Sequence, residues 1–282
     1  MMKTRIIADS SVDIFELDGV DFLSAPLTIS TDERDFVDDE KLDVDEMLDY
    51  LLAYKGRSYS ACPNVDAWMS CYEGAEEIYV VTLSSALSGT YNAACTAAQL
   101  FTEKHPETKV RVFDTKSAGA EVRLITEKLA ELVRVGKGFE EICSRIDAYM
   151  RHTRIFFALE SFHNFAQNGR VNKLVAKMGG LLGIRIMATG SPEGEIEIIG
   201  KHRGAQKTLK GFLECIREAG YNGGRIFIAQ CKNSPFAEAI SKAIKEIYAG
   251  AQIVIYETRG LCSYYAEKGG VLLACECEKA FC

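Results

Sequence analysis

The chain has 282 residues, 48% hydrophobic and 26% charged, which is enough apolar material for two domains with cores of their own and excludes a disordered chain. A formal net charge of −7 and a pI near 5.3 exclude a protein that works by neutralising nucleic-acid phosphates, and no basic run resembles a DNA-binding arm.

In chain order, the stretch Met1 to Asp9 lacks the continuous apolar run of a signal peptide. No later window approaches the ~18 uninterrupted apolar residues of a membrane span, so a cytoplasmic chain with no membrane span is expected. Arg5 to Ala8 reads as a short strand, and Asp9-Ser10-Ser11-Val12-Asp13 follows as a turn rich in helix N-cap residues. Leu23 to Ile29 suits a second strand. Asp32 to Asp49 is heavily acidic and reads as a solvated face, with a helix from Val44 to Tyr54 that puts Val44, Met47, Leu48, Leu51 and Leu52 on one side. Tyr59 to Trp68 looks like an extended piece feeding Pro63 into the first turn of a helix, where the missing N–H costs nothing; Ser60 then lies on the approach to a helix N-terminus.

The most informative stretch is Ile78 to Ala94. Ile78 to Leu83 is a strand buried on both faces, and Ser84-Ser85-Ala86-Leu87-Ser88-Gly89-Thr90-Tyr91 leads from it into an Ala-rich helix. Such a turn sets hydroxyl donors beside unpaired N–H groups and the positive end of a helix dipole, which suits one carboxylate or phosphate. The plainer alternative is that Ser88 or Thr90 only caps the helix. Lys109 to Asp114 alternates as a strand, Asp114 to Gly119 makes a third polar turn, and Val122 to Val135 is helical. Strand, polar turn and helix thus recur, the pattern of a parallel sheet that binds ligands at the carboxyl ends of its strands.

After Gly136-Lys137-Gly138 and a helix from Phe139 to Met150 the character changes. Arg154 to Leu159 is a strand, Phe162 to Gln167 a helix ended by Asn168-Gly169-Arg170, and Lys173 to Leu182 another helix. Ile184 to Met187 and Glu195 to Ile199 form a hairpin around Gly190-Ser191-Pro192-Glu193-Gly194. Lys207 to Glu218 and Pro235 to Tyr248 are helices; Arg225 to Gln230, Gln252 to Tyr256 and Val271 to Cys277 are strands. Hairpins mixed with helical crossovers predict a mixed or antiparallel sheet. The expected fold class is therefore α/β in two domains, residues 1–150 an N-terminal parallel-sheet α/β domain and residues 151–282 a C-terminal α+β domain.

No enzyme constellation emerges. His105, His152, His163 and His202 lack the spacing of a metal pair, and neither Gly-x-Ser-x-Gly nor Gly-x-x-x-x-Gly-Lys-Ser/Thr occurs. The ten Cys are scattered, without a Cys-x-x-Cys; the nearest grouping, Cys275, Cys277 and Cys282, is a weak metal candidate. Neither metal nor cofactor is expected, and what remains is binding.

The Ser84 to Tyr91 run resembles the Ser-Ser-x-Leu-Ser-Gly-Thr-Tyr signature of the DegV family, bacterial fatty-acid-binding proteins that include the acyl-carrying subunit of fatty acid kinase. Further landmarks fall in order: Ala8 to Asp13, Phe113-Asp114-Thr115-Lys116-Ser117, Asn168-Gly169-Arg170-Val171, Gly180-Leu181-Leu182-Gly183-Ile184 and Lys201-His202-Arg203-Gly204. The resemblance implies a long-chain fatty acid between the domains, its carboxylate on hydroxyls and its tail in an apolar tunnel, with a fatty acid kinase as the partner that receives it for acyl-phosphate formation.

Ser60-Ala61-Cys62-Pro63 matches the family's Thr-Ser-Gln-Pro motif, so Ser60 inherits the carboxylate contact. The signature Ser carries over to Ser85, with Ser88 as second choice and Gly89 beside it. The third family ligand, a His in a Gly-x-His-x-Gly-Pro-Gly stretch, is absent from Cys262 to Gly270; a hydroxyl of Ser263, Tyr264 or Tyr265 replaces it, with Tyr265 taken for the site, or the head-group preference has changed. Arg170 and Arg203 are implied as surface cations near the ligand mouth, for the acyl phosphate or the kinase. The competing reading is an enzyme acting on a small carboxylated or phosphorylated metabolite at the Ser-rich turns. A long apolar tunnel favours the carrier and a short polar pocket the enzyme.

Overall fold

The computed structural model describes residues 3–172 and 183–280. The helix expected over Lys173 to Leu182, most of the Gly180 to Ile184 landmark and Cys282 lie outside the described residues.

The apolar runs foreseen as strands assemble into two main sheets. In the first, β1 (Thr4–Asp9) and β6 (Glu77–Thr82) are central, flanked by β2 (Asp21–Ala25) and β7 (Lys109–Asp114) in the order β2-β1-β6-β7. Every pairing is parallel, and β6 is buried along its whole length, as a strand covered on both faces must be. The second sheet runs β10 (Ile196–Arg203), β9 (Ile184–Gly190), β8 (Thr153–Leu159), β13 (Val271–Glu276), β11 (Arg225–Gln230), β12 (Gln252–Glu257). Its neighbours are antiparallel except β11 and β12, which are parallel and joined through the helix Ser234–Ile247; the sheet is mixed, as expected.

Helix α4 (Ala120–Arg134) lies between the sheets. One side packs on β1 and β6 through Val122, Ile125 and Leu129; the other meets β8, β11 and β13 through Ala120 and Leu124. An ordinary surface helix carries one apolar stripe, whereas this one buries nine of its fifteen residues.

Several expectations are corrected. The single strand over Leu23 to Ile29 is two: Pro26, which has no N–H to donate, separates β2 from β3 (Thr28–Ser30). β3 belongs to a small antiparallel sheet between β4 (Asp35–Val37) and β5 (Tyr59–Ala61). In helix α1 (Val44–Ala53) Met47 and Leu48 are buried, but Leu52 is 71% exposed, so the apolar face ends short of it. Helix α2 (Val65–Tyr72) starts after Pro63, with Asn64 as N-cap accepting the Ala67 N–H at 2.9 Å.

The acidic run is not all solvated either. Asp38 is fully buried, and its two carboxylate oxygens accept the backbone N–H groups of Gly260 (2.8 Å) and Leu261 (2.9 Å). Nearby, Asp13 accepts the Arg259 N–H at 2.8 Å, and Asp9 accepts the Ser11 hydroxyl (2.5 Å) and the Leu83 N–H (2.7 Å). Burial, partly offset by these bonds, pushes the Asp9 carboxyl up to about 6 and that of Asp13 up to about 8, and raises Asp38 as well.

Raised folded-state values mean that the native protein holds these protons more tightly than the unfolded chain does. Their stabilising contribution is complete below the ordinary value of 3.8 and is lost as pH rises through about 6 for Asp9 and about 8 for Asp13. Asp13→Asn removes one of these protons, and Asn tolerates the left-handed backbone (φ 59°) there. Urea melts between about pH 5 and pH 9 should show a fall in stability with pH that is shallower in this variant, by up to a few kcal/mol. Parallel curves would show that Asp13 does not carry the proton.

Candidate ligand-binding site

The polar turns at the carboxyl ends of β1, β6 and β7 converge, as a parallel sheet requires, and the second sheet closes over them. Between them is a cavity that encloses, counted with its open mouth, about 830 Å³ of empty space. The first sheet's side contributes Ser11, Leu83, Leu87, Ser88 and the turn Lys116 to Gly119; Leu27 and Ser60 come from the small sheet and its approach. Ile155, Phe157 and Leu159 of β8 and Leu272 of β13 form the facing wall. The helix Gly260–Ala266 adds Leu261, Cys262, Tyr265 and Ala266. Most of this lining is aliphatic or aromatic.

Three of its polar side chains, Ser60, Tyr265 and Arg170, lie near one another. Ser60 Oγ and the Tyr265 hydroxyl are hydrogen-bonded at 2.7 Å, and the Tyr265 ring stacks on Phe165 with centroids 4.6 Å apart. Burial raises the Tyr265 phenol above its ordinary value, the Ser60 bond and the Arg170 charge offsetting part of this, so it is neutral at physiological pH. Behind this pair Ser58 Oγ and the Tyr264 hydroxyl meet at 2.9 Å, and Asn168 Nδ2 donates to the same Tyr264 oxygen at 2.9 Å. Arg170, half-buried, lines the cavity; its Nε donates to the Leu87 carbonyl at 3.0 Å and its Nη1 to the Asn168 carbonyl.

The two sheets are also clasped beside the cavity. The buried Ser84 hydroxyl donates to the Gly194 carbonyl at 2.8 Å, and Lys116 Nζ donates to the Pro192 carbonyl at 3.1 Å, tying the β9–β10 loop to the turns after β6 and β7. Among the described residues no group of three or more His, Cys, Asp or Glu could hold a metal ion.

The profile of the DegV family, whose members it describes as uncharacterised proteins, matches residues 3–276. This chain belongs to the DegV family. A DegV domain-containing protein of Streptococcus pneumoniae is 41% identical over 279 residues, covering 98% of this chain and 99% of the relative. Among solved structures, a DegV family protein from Eubacterium eligens loaded with heptadecanoic acid is 48% identical with a TM-score of 0.96, and the Streptococcus pneumoniae Fatty Acid Kinase (Fak) B3 protein loaded with linoleic acid is 40% identical with a TM-score of 0.96. Both comparisons cover 98% of this chain and 100% of the other.

Of the site residues read from the DegV resemblance, the structure brings Ser60, Ser88, Tyr265 and Arg170 to the cavity. Ser85 is not there: it is exposed, its Oγ donates to Asp114 Oδ2 at 2.5 Å and its N–H to Asp114 Oδ1 at 3.1 Å. Gly89 is the exposed N-cap of helix α3 (Thr90–Lys104), without a side-chain cap, and Arg203 is exposed at the end of β10, away from the lining. Ser88 Oγ accepts the Thr90 N–H at 3.3 Å, so it supports the helix start while facing the cavity. Ser11, Ser117, Thr189 and Cys262 were not singled out from the sequence. Ser11 and Ser117 lie in turns legible as polar strand ends, whereas nothing local marks Thr189 or Cys262.

The clasp demands glycine at position 194 in this DegV chain. Its φ is +86°, and a Cβ there would stand 2.2 Å from Ser84 Oγ and 3.1 Å from the Lys116 Cα. Gly194→Ala should lower unfolding stability by roughly 1–3 kcal/mol in urea, combining left-handed strain with a displaced Ser84 bond. A loss within about 0.3 kcal/mol would mean that the loop moves away at no cost and that the clasp is not rigid.

Proposed function

We propose that this DegV protein binds one long-chain fatty acid in the cavity between its two halves, carries it without transforming it, and presents its carboxylate to a fatty acid kinase. The observation that carries the reading is a largely apolar cavity that also presents the Ser60–Tyr265 hydroxyl pair and Arg170. The two solved relatives loaded with heptadecanoic and linoleic acid support the ligand class, and the Fak B3 relative supports the partner. A small polar metabolite would leave the Ile155, Phe157 and Leu159 wall without a partner, which disfavours the enzyme reading. On this proposal residues 1–150 and 151–282 are the two domains and the protein works in the cytoplasm. No helix among the described residues is long and apolar enough to cross a membrane.

The energetics divide the work. Each buried methylene contributes about 0.8 kcal/mol, so the tail supplies most of the affinity. Each hydrogen bond to the charged head contributes about 1.5–3 kcal/mol and supplies the preference for a free acid. Ser60→Ala combined with Tyr265→Phe should weaken fatty-acid binding by about 2–4 kcal/mol and abolish the preference for the acid over its methyl ester. Ser85→Ala, outside the cavity, should leave both unchanged. If the wild type bound acid and ester equally, the assignment of the head group would be wrong even with the tail in place.

Arg170 suits a second task, because a guanidinium at the cavity can meet the charge that develops as a phosphoryl group reaches the carboxylate. Arg170→Ala should cost less affinity than the hydroxyl double variant, yet slow phosphoryl transfer by a cognate fatty acid kinase on the order of 100-fold. An undiminished rate at saturating carrier would remove Arg170 from the transfer step.

A further inference from the structure

Ser60 and Tyr265 are 205 positions apart in the chain, yet their oxygens stand 2.7 Å apart, and something must set that distance. Tyr265 is carried by the seven-residue helix Gly260–Ala266, too short to hold its own orientation, and the N-cap residue Arg259 makes no side-chain cap. The carboxylate of Asp38 instead receives the helix's first two N–H groups, one on each oxygen. Gly260 fits tightly against it: a Cβ there would lie 2.5 Å from Asp38 Oδ1 and 2.5 Å from Leu42 Cδ2.

Asp38 itself is tied to the sheet that carries Ser60. Its backbone N–H donates to the Leu27 carbonyl at 2.9 Å, just before β3, and it follows β4 directly. Across that sheet Ser60 of β5 sits opposite Ile29 of β3, which sits opposite Phe36 of β4. From β4 to β5 is two strand spacings, about 9.6 Å, and the five steps from Gly260 to Tyr265 rise about 7.5 Å along the helix. The helix thus runs from a carboxylate beyond one edge strand back to a hydroxyl on the other.

We propose that Asp38 is a positioning residue for the head-group site: by anchoring the start of the helix Gly260–Ala266 to the three-stranded sheet, it sets the Tyr265 hydroxyl against Ser60. Asp38 does not itself line the cavity, whereas the helix it anchors supplies Leu261, Cys262, Tyr265 and Ala266 to the lining. The inference rests on the reading of Ser60 and Tyr265 as the carboxylate's hydrogen-bond donors.

A double-mutant cycle separates positioning from general destabilisation. Affinities for a long-chain fatty acid and for its methyl ester are measured for wild type, Asp38→Asn, Tyr265→Phe and the double variant, under conditions where circular dichroism shows each to be folded. Asp38→Asn keeps the side chain's shape but leaves only one acceptor for two N–H groups. It should weaken acid binding about tenfold, the size of one hydrogen bond, with little effect on the ester. In the Tyr265→Phe background the same change should weaken acid binding by no more than about twofold. Ile244→Ala, a core truncation beneath the second sheet, is the control for lost stability and should leave the acid-to-ester ratio unchanged.

If Asp38→Asn does not fold, Asp38→Glu, which moves the carboxylate by one methylene, takes its place in the cycle with the same expectation. Equal losses in both backgrounds, or a loss shared by acid and ester, would overturn the positioning role while leaving the fatty-acid site intact. A wild type without acid preference, or a Tyr265→Phe variant whose acid preference is undiminished, would instead overturn the reading of the head-group site.

Discussion

Helix α4 is apolar on two sides, and the placement of the cavity follows from that. A helix between two sheets must bury both faces, so it draws β1 and β6 toward β8, β11 and β13 along its length. Beyond its N-terminus the sheets are no longer separated by helix, and there the cavity lies. Gly119 marks the boundary: at φ +58° it turns the chain into α4, and a Cβ would be 2.9 Å from Leu272 Cδ2 on the facing wall. The same end of the first sheet presents the carboxyl termini of its parallel strands, so hydroxyl-bearing turns and the apolar wall meet without further machinery.

Within that cavity the polar groups are mainly neutral. Hydroxyls read a carboxylate by hydrogen bonding without burying a permanent opposite charge, which would cost several kcal/mol whenever the site is empty. Ser60 and Tyr265 share a single hydrogen bond, one hydroxyl donating to the other, so the pair keeps one O–H proton to offer a head group; Ser58 and Tyr264 are likewise bonded to each other. Among the described residues Arg170 donates to the backbone carbonyls of Leu87 and Asn168, which orient its guanidinium at the cavity. The buried acids lie one layer away, where Asp9, Asp13 and Asp38 hold backbone N–H groups of the turns and of the Tyr265 helix.

Much of the fold was legible because the strands of both sheets are long apolar runs punctuated by polar turns, and periodicity reports such segments directly. The small sheet was not. β4 lies inside an acidic run whose composition says solvent, and only its pairing with β3 and the packing of that small sheet reveal that Phe36 is core and Asp38 is buried. Similar limits apply to the site. Ser60 and Tyr265 were reachable through family landmarks, but Ser84, Ser85 and Ser88 share one turn and yet point to the Gly194 loop, to Asp114 and to the cavity respectively. Local sequence does not encode that choice; the Asp114 carboxylate and the β9–β10 loop make it.

The most direct test of the account is the identity of what the protein carries. Purified protein, denatured and extracted, should release a long-chain fatty acid at near one equivalent by mass spectrometry, and delipidated protein should take up added acid to the same stoichiometry. Protein that emerges empty and ignores added fatty acid would contradict the account, whatever the shape of its cavity.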